Sequence, residues 1–380
     1  MRNVYNLSIR AWLLSLLCLL VGGRAVANEP TDDRITVNEV TLVPGSADTY
    51  QVEISLVGSQ IYTAYQMDIL FPPGVDVVVD EDGPYVDLWD GDGCIYPYVR
   101  RKLVHSLSSS YGVISNKLLR ISCSDDMNRV LTATSGKLLY FLVKVSPYLK
   151  PGDVILKVTN LDFITKENAQ KYHCKDQTLT LHATAESTAT LSVSGSSHYG
   201  TCVLPFAVPT LPDGVKAYSA KGLDSTGQLV VLSEVTQLAA YTPYILYSAS
   251  GYTGTLKGAV DASQYGEVVS DGLLRGAIAP QKRKDGYVLQ DFGKGEGAKF
   301  YAMDGVEFLI PEGKCWLEMP AAQASAPQYG IQIGTTTGIT APATAATAHG
   351  KIYTLDGKEV KTMQPGGIYV VNGKKVLKIK

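Results

Sequence analysis

Thr49-Tyr50-Gln51-Val52-Glu53-Ile54-Ser55-Leu56 alternates polar and apolar side chains with a period of two, the pattern of a strand that buries one face and wets the other. Upstream, Ile35-Thr36-Val37-Asn38-Glu39-Val40 opens a strand and Pro44-Gly45-Ser46 turns the chain. Downstream, residues 64–71, 118–122, 137–145, 154–158 and 178–182 are further candidates, separated by Pro72-Pro73-Gly74, Asp82-Gly83-Pro84 and Pro151-Gly152. Short strands punctuated in this way predict an antiparallel β-sandwich, because each strand buries one face and two sheets must cover each other. Composition agrees. With 45% hydrophobic and only 18% charged residues and 23 Tyr, the chain is neither disordered throughout nor built of surface helices, which need long charged side chains.

Residues 1–27 have the form of a secretory signal peptide. Arg2 and Arg10 supply the positive start, Ala11 to Val21 the apolar run, and Ala25-Val26-Ala27 the cleavage site. Gly22-Gly23-Arg24 ends that run short of the ~20 apolar residues a bilayer requires, and no later segment is long and apolar enough, so no membrane span is expected in the mature chain. Cleavage removes three of the 34 basic residues (Arg2, Arg10, Arg24), leaving 31 against 36 acidic ones, a net of −5. Such a chain has no electrostatic footprint for nucleic acid. Cys18 leaves with the signal, and Cys94, Cys123, Cys174, Cys202 and Cys315 enter an oxidising compartment. Cys202 with Cys315 and Cys94 with Cys123 are candidate disulfides; the alternative is that all five are buried thiols.

The stretch Tyr62-Thr63-Ala64-Tyr65-Gln66-Met67-Asp68-Ile69-Leu70-Phe71-Pro72-Pro73-Gly74-Val75, an aromatic-rich strand running into a P-x-G turn and a further apolar strand, resembles a landmark of cohesin-like domains. Leu119-Arg120-Ile121-Ser122-Cys123-Ser124 and the run from Ser135 to Val145 resemble the next two. The resemblance covers about 150 residues and implies an immunoglobulin-like antiparallel β-sandwich over residues 28–188. It also implies a partner chosen by surface residues on one sheet. No dockerin-type calcium repeat occurs in this chain, so such a partner would be another protein.

Residues 189–320 read as a second all-β domain, similar to an accessory region of multidomain surface proteins, through Gly214-Val215-Lys216-Ala217-Tyr218, Leu229-Val230-Val231-Leu232 and Thr242-Pro243-Tyr244-Ile245-Leu246. Residues 251–256 and 285–291 look like hairpin arms. Residues 321–348, rich in Ala, Thr and Gly, read as a linker. Residues 349–380 read as a small C-terminal β-meander with hairpin turns at Asp356-Gly357 and Asn372-Gly373. Pro365-Gly366-Gly367-Ile368-Tyr369-Val370-Val371 and the Lys-bearing end from Lys374 to Lys380 resemble the sorting domain of type IX secretion cargo, shortened to about half. That resemblance implies delivery to the outer face of a Gram-negative envelope, with the periplasm as the alternative.

The most unusual local composition lies between Asp80 and Tyr98. Tyr85, Trp89, Tyr96 and Tyr98 stand among carboxylates, a mixture that suits sugar rings and protein interfaces. Asp87, Asp90 and Asp92 ahead of Gly93 are candidate ligands for Ca²⁺, although the D-x-[DN]-x-[DN]-G-x₅-E spacing is not met and a solvated acidic loop is the alternative. No other cofactor is suggested. Catalytic patterns are missing: there is no G-x-S-x-G and no C-x-x-C, and the five histidines are scattered singly. These observations point to an exported, non-enzymatic surface or extracellular protein, an adhesion or scaffold module for a protein or glycan. The alternatives are a carbohydrate-binding accessory module of a polysaccharide-degrading system and a structural spacer of a surface assembly. N-terminal sequencing of the exported protein should begin at Asn28; retention of residues 1–27 would contradict the signal-peptide reading.

Overall fold

The computed structural model describes residues 32–112, 117–261, 268–292 and 297–334, together with the tail stretches 352–354, 359–360, 368–371 and 374–377. The leader, residues 335–348 and both tail turns lie outside the described residues. By contacts, the chain divides into one unit up to Gly334 and a second from Thr335.

The described chain is all-β, broken only by single 3-10 turns at Glu167–Ala169 and Ala321–Gln323. Its first part is a sandwich. A five-stranded sheet runs in the order Arg34–Val37, Tyr50–Val57, Ser135–Val145, Val75–Val77, with Val86–Leu88 also paired to Ser135–Val145. The facing sheet runs Ser106–Tyr111, Leu118–Ser124, Tyr62–Leu70, Gly152–Thr165, Gln177–Ala183, Thr41–Leu42, with Lys171–His173 added to Gly152–Thr165. Alternation places Val52, Ile54, Leu56, Phe141 and Val143 opposite Tyr65, Met67, Ile69, Ile121 and Leu156 in one core.

Asp68 departs from that pattern. It lies on the outward side of Tyr62–Leu70, between exposed Gln66 and Leu70, yet is 4% exposed. The Arg120 guanidinium covers it, donating from Nε and Nη2 to its two carboxylate oxygens at 2.8 Å each, and Asn160 Nδ2 adds a third bond at 2.8 Å. Asn160, at φ 51°, stands in the irregular step between Thr159 and Asp162 where Gly152–Thr165 departs from register with Tyr62–Leu70. The Arg120 bonds hold the Asp68 carboxyl below the ordinary aspartate range against the opposing effect of burial.

The second part is one curled ten-stranded sheet, in the order Tyr199–Cys202, Tyr244–Tyr247, Lys216–Leu223, Leu229–Val235, Gln328–Ile333, Lys299–Ala302, Tyr287–Gln290, Cys315–Leu317, Leu274–Ala277, Val268–Asp271. Its far edge returns to the third strand, where Lys221 meets Asp271 at 3.0 Å and Leu273 N donates to Ala220 O at 2.8 Å. Three expectations need correction here. Gln328–Ile333 is no linker: it pairs parallel to Leu229–Val235 and buries Tyr329 edge-on to Tyr287 at 5.0 Å. The Ala/Thr/Gly composition around it masked that short alternation. Residues 251–256 are not a hairpin arm, because Tyr252–Ala259 pairs with the distant Glu186–Val193, whereas residues 285–291 are one, Tyr287–Gln290 pairing antiparallel with the next strand, Lys299–Ala302. The boundary at 188/189 falls inside Glu186–Val193, which spans both parts: Ser187 Oγ donates to Pro147 O at 2.8 Å, while Ala189, Leu191 and Val193 enter the second core.

That joint is dry. Tyr148 OH donates to Val203 O at 2.7 Å, and Ser146 Oγ to Glu312 Oε2 at 2.8 Å. Gly45, at φ +71°, passes so close that a Cβ would stand 1.8 Å from Thr188 O, so only glycine fits. In the tail the four strands run in the order Glu359–Val360, Ile352–Thr354, Ile368–Val371, Lys374–Leu377, two hairpins side by side rather than the expected simple meander.

Asp68→Asn should destabilise the protein by about 1.5–3 kcal/mol, the range for losing charge-assisted hydrogen bonds. The contribution of Asp68 is present above the unfolded carboxyl pKa near 3.8 and is lost as pH falls through the lower folded value. Urea titrations of wild type and variant should therefore converge in acid; a constant gap across pH would contradict this account.

Candidate functional site

Ser135–Val145 carries a β-bulge. Its register against Tyr50–Val57 shifts between Lys137 and Leu139, so that Leu138 and Leu139 are both buried while Lys137 and Tyr140 both reach the outer face. In a regular strand positions three apart face opposite sides. Gly136, at φ +151°, brings the strand against the following loop: a Cβ there would lie 2.1 Å from Ile95 Cγ2. Lys137 N donates to Gly93 O at 2.8 Å and Trp89 N to Leu138 O at 2.9 Å. The loop is thereby fixed to the bulge.

A connected row of aromatic side chains results. Tyr85 and Tyr140 have ring centroids 6.3 Å apart, and Trp89 meets Tyr140 edge-on at 6.1 Å and 87°. The Lys137 ammonium sits 3.9 Å from the Trp89 ring centroid and 2.7 Å from Glu53 Oε2, a cation–π contact completed by an ion pair. Trp89 Nε1 donates to Asp92 O at 2.8 Å, and Tyr98 OH to Asp90 O at 3.0 Å. Burial, followed by the Tyr85 hydroxyl, pushes the Tyr140 phenol up to about 12. Trp89 is therefore a held strut, with one face and its N–H already engaged. The surfaces presented to solvent are Tyr85 at 41%, Tyr98 at 45% and the neighbouring Val79 and Val99 at 45% and 44%.

Tyr96 is corrected from ligand candidate to core residue. It is 2% exposed, its hydroxyl lies 2.6 Å from that of Tyr65, and its ring stands 5.1 Å from buried His105. The loop turns inward at Ile95 and Tyr96 to close the end of the sandwich. The calcium reading is likewise corrected. Asp87 Oδ1 accepts from Leu88 N at 2.8 Å, and Asp90 and Asp92 contribute main-chain carbonyls to the bonds just described. Among the described residues no group of three or more His, Cys, Asp or Glu is arranged to hold a metal ion.

The candidate disulfides are also corrected, for neither Cys94 with Cys123 nor Cys202 with Cys315 is bonded. Cys123 lies in the sandwich core, its thiol pushed up to about 12 by burial, while Cys94 lies in the loop, 3.7 Å from Tyr98 OH. Cys202 and Cys315 are neighbours as their positions suggested, but Cys315 Sγ points to the Cys202 carbonyl oxygen at 3.2 Å. Glu53, Lys137 and Tyr140 escaped sequence reading as site residues. The only signal was the doublet Leu138-Leu139, which breaks the alternation ahead of Tyr140 and marks the extra residue of the bulge.

No protein-family model and no curated protein sequence matches the chain. Among solved structures its neighbours are cohesin modules, which are β-sandwiches. A non-cellulosomal cohesin from the archaeon Archaeoglobus fulgidus is 11% identical with a TM-score of 0.29, over 40% of this chain and 91% of that one. A Clostridium acetobutylicum cohesin is 20% identical with a TM-score of 0.31, over 42% and 95%. A chain of a type I cohesin–dockerin complex from Clostridium thermocellum is 16% identical with a TM-score of 0.31, over 40% and 99%.

Lys137→Met should cost about 0.5–1.5 kcal/mol, the range of a partly shielded cation–π contact and its ion pair, and should alter the fluorescence of Trp89. An unchanged emission spectrum and denaturation midpoint would show that Lys137 does not hold the indole.

Proposed function

We propose that the protein is a non-enzymatic binding module of the cell exterior that takes a partner protein on the outer face formed by Tyr85, Trp89, Tyr98 and Tyr140. The observation that carries this reading is the row of aromatic side chains braced from behind by Lys137 and the bulge, with Tyr85, Tyr98, Val79 and Val99 left open to solvent. Rigid tyrosines lose little entropy on binding and dominate many interfaces. By contrast, on the outer face of the other sheet Asp68 and Asp162 already pair with Arg120, Lys171 and His173, leaving less for a partner to satisfy. The leader-like N-terminus and the tail resembling a type IX sorting domain support an exported, surface-attached setting.

A specific observation favours glycan as the second reading: the exposed rings lie close to the Asp87 and Asp90 carboxylates, and Asp87 is in register beside Tyr140. Stacking on sugar C–H faces with carboxylates accepting hydroxyl protons would use that arrangement. The two readings separate in one experiment. Protein refolded without the leader is used to capture partners from envelope and medium, beside Tyr85→Ser, Tyr98→Ser and the double variant, and the same proteins are applied to a glycan array. The expectation is capture of a discrete protein, weakened at least tenfold in the double variant and indifferent to added sugars. Array binding that the same substitutions abolish would move glycan ahead, and capture unaffected by both substitutions would remove this face from consideration.

A further inference from the structure

Tyr252–Ala259, in the second part of the chain, pairs with Glu186–Val193 alone among the described residues. The two strands form a ribbon with one covered edge. On the Glu186–Val193 side Thr188 N donates to Pro44 O at 2.9 Å, and Gly200 comes so near that a Cβ would stand 2.6 Å from Ser192 O. On the other side the main chain is open. Val260 N donates to Ala185 O at 2.9 Å, which continues the antiparallel register and assigns Tyr252, Gly254, Leu256 and Gly258 to the bonds with Glu186–Val193. Alternation turns the N–H and C=O of Thr253, Thr255 and Lys257 the opposite way, and no described residue bonds to them. That side is taken only past the strand, where Asp261 N donates to Pro205 O at 2.9 Å.

Native edge strands are commonly guarded by proline, a bulge, shortness or charge. This one has an unbroken register, no proline, and Lys257 as its sole charged residue. It is also held in place, for Tyr252 and Leu256 pack on the second core and a Cβ at Gly258 would stand 2.6 Å from the Phe206 ring. Thr253, Thr255 and Lys257 are exposed, and these side chains select the occupant. When the strand pairs antiparallel with its own copy about Thr255, Thr255 faces Thr255 and each Thr253 faces the other copy's Lys257. That register joins the open residues of both strands through on the order of six main-chain hydrogen bonds, keeps the exposed side chains on one face and sets no like charges opposite each other. Moving the axis to Lys257 would oppose two ammonium groups and reach the stretch that Pro205 occupies. We propose that Tyr252–Ala259 is a dimerisation edge, to which a second copy of this chain adds its own Tyr252–Ala259 about a two-fold axis at Thr255. The inference is independent of the function proposed for the aromatic face.

The test is sedimentation equilibrium of the full chain without its leader. One strand pair falls short of the ~1,000 Å² of a standard interface, so a reversible monomer–dimer equilibrium is expected rather than a permanent dimer. Thr255→Pro removes the donor at the axis, on the solvent side where an edge strand tolerates proline, and should weaken association at least tenfold. Thr253→Lys opposes two lysines at both ends of the pairing and should weaken it about threefold, whereas Thr253→Glu opposes Lys257 with a carboxylate and should tighten it about threefold. The gain from glutamate should fade with added salt. Both changes at Thr253 are on the exposed side, should leave the melting temperature of the monomer unchanged, and serve if the proline variant is poorly folded. A chain that stays monomeric up to about 1 mM, a dimer that survives Thr255→Pro, equal or reversed responses to lysine and glutamate at position 253, or a dimer lost only in the Tyr85→Ser, Tyr98→Ser double variant would each overturn the proposal.

Discussion

The single extra residue in Ser135–Val145 is the constraint from which the candidate site follows. A strand that pairs along both edges cannot shift its register without turning its apolar face to water, so one inserted residue must be absorbed locally. Here Leu138 and Leu139 both go inward, and the two flanking side chains, Lys137 and Tyr140, both come outward. The backbone polar groups released from the ladder are taken up by the neighbouring loop through Gly93 O and Trp89 N. One irregularity thus anchors a loop, orients an indole and places a cation behind it.

The same economy appears where the two parts of the chain meet. Glu186–Val193 leaves the sandwich through Ser187 and enters the second core two residues later. Tyr148 reaches across to Val203 O in a buried bond. Glu312 is drawn into this joint, where burial raises its carboxyl above the ordinary range even though Ser146 donates to it. By linkage the joint gains from protonation of Glu312 and loses that increment as pH rises through the raised value. The two cores are distinct, but the boundary between them is packed and hydrogen-bonded rather than a free hinge.

Aromatic residues do two kinds of work within a few positions of one another. Tyr96 and Tyr65 join hydroxyls inside the sandwich, where burial drives both phenols well above their ordinary value. Tyr98, two residues further on, lies at the surface with only its hydroxyl tied down. A residue that must hide its ring needs a buried partner for its O–H, whereas one at the surface can leave its ring for a partner molecule. Local composition treats the two alike.

Alternation in Tyr50–Val57 and Tyr62–Leu70, the turn residues between strands and the scarcity of charge were sufficient to read an all-β chain with a sandwich at its start, because period-two burial is a local property. The aromatic, acidic loop was also legible as a candidate site, since Tyr85, Trp89 and Tyr98 fall within one short stretch of the chain. Tertiary structure alone decided which of its aromatics face outward, that Asp87, Asp90 and Asp92 do not converge, and that Lys137 and Glu53 complete the site from other strands. It also decided that Gln328–Ile333 enters the middle of a ten-stranded sheet, next to a strand about a hundred positions earlier. Such pairings depend on which distant segments share an edge or a core, and that information is not carried by any single stretch of the chain.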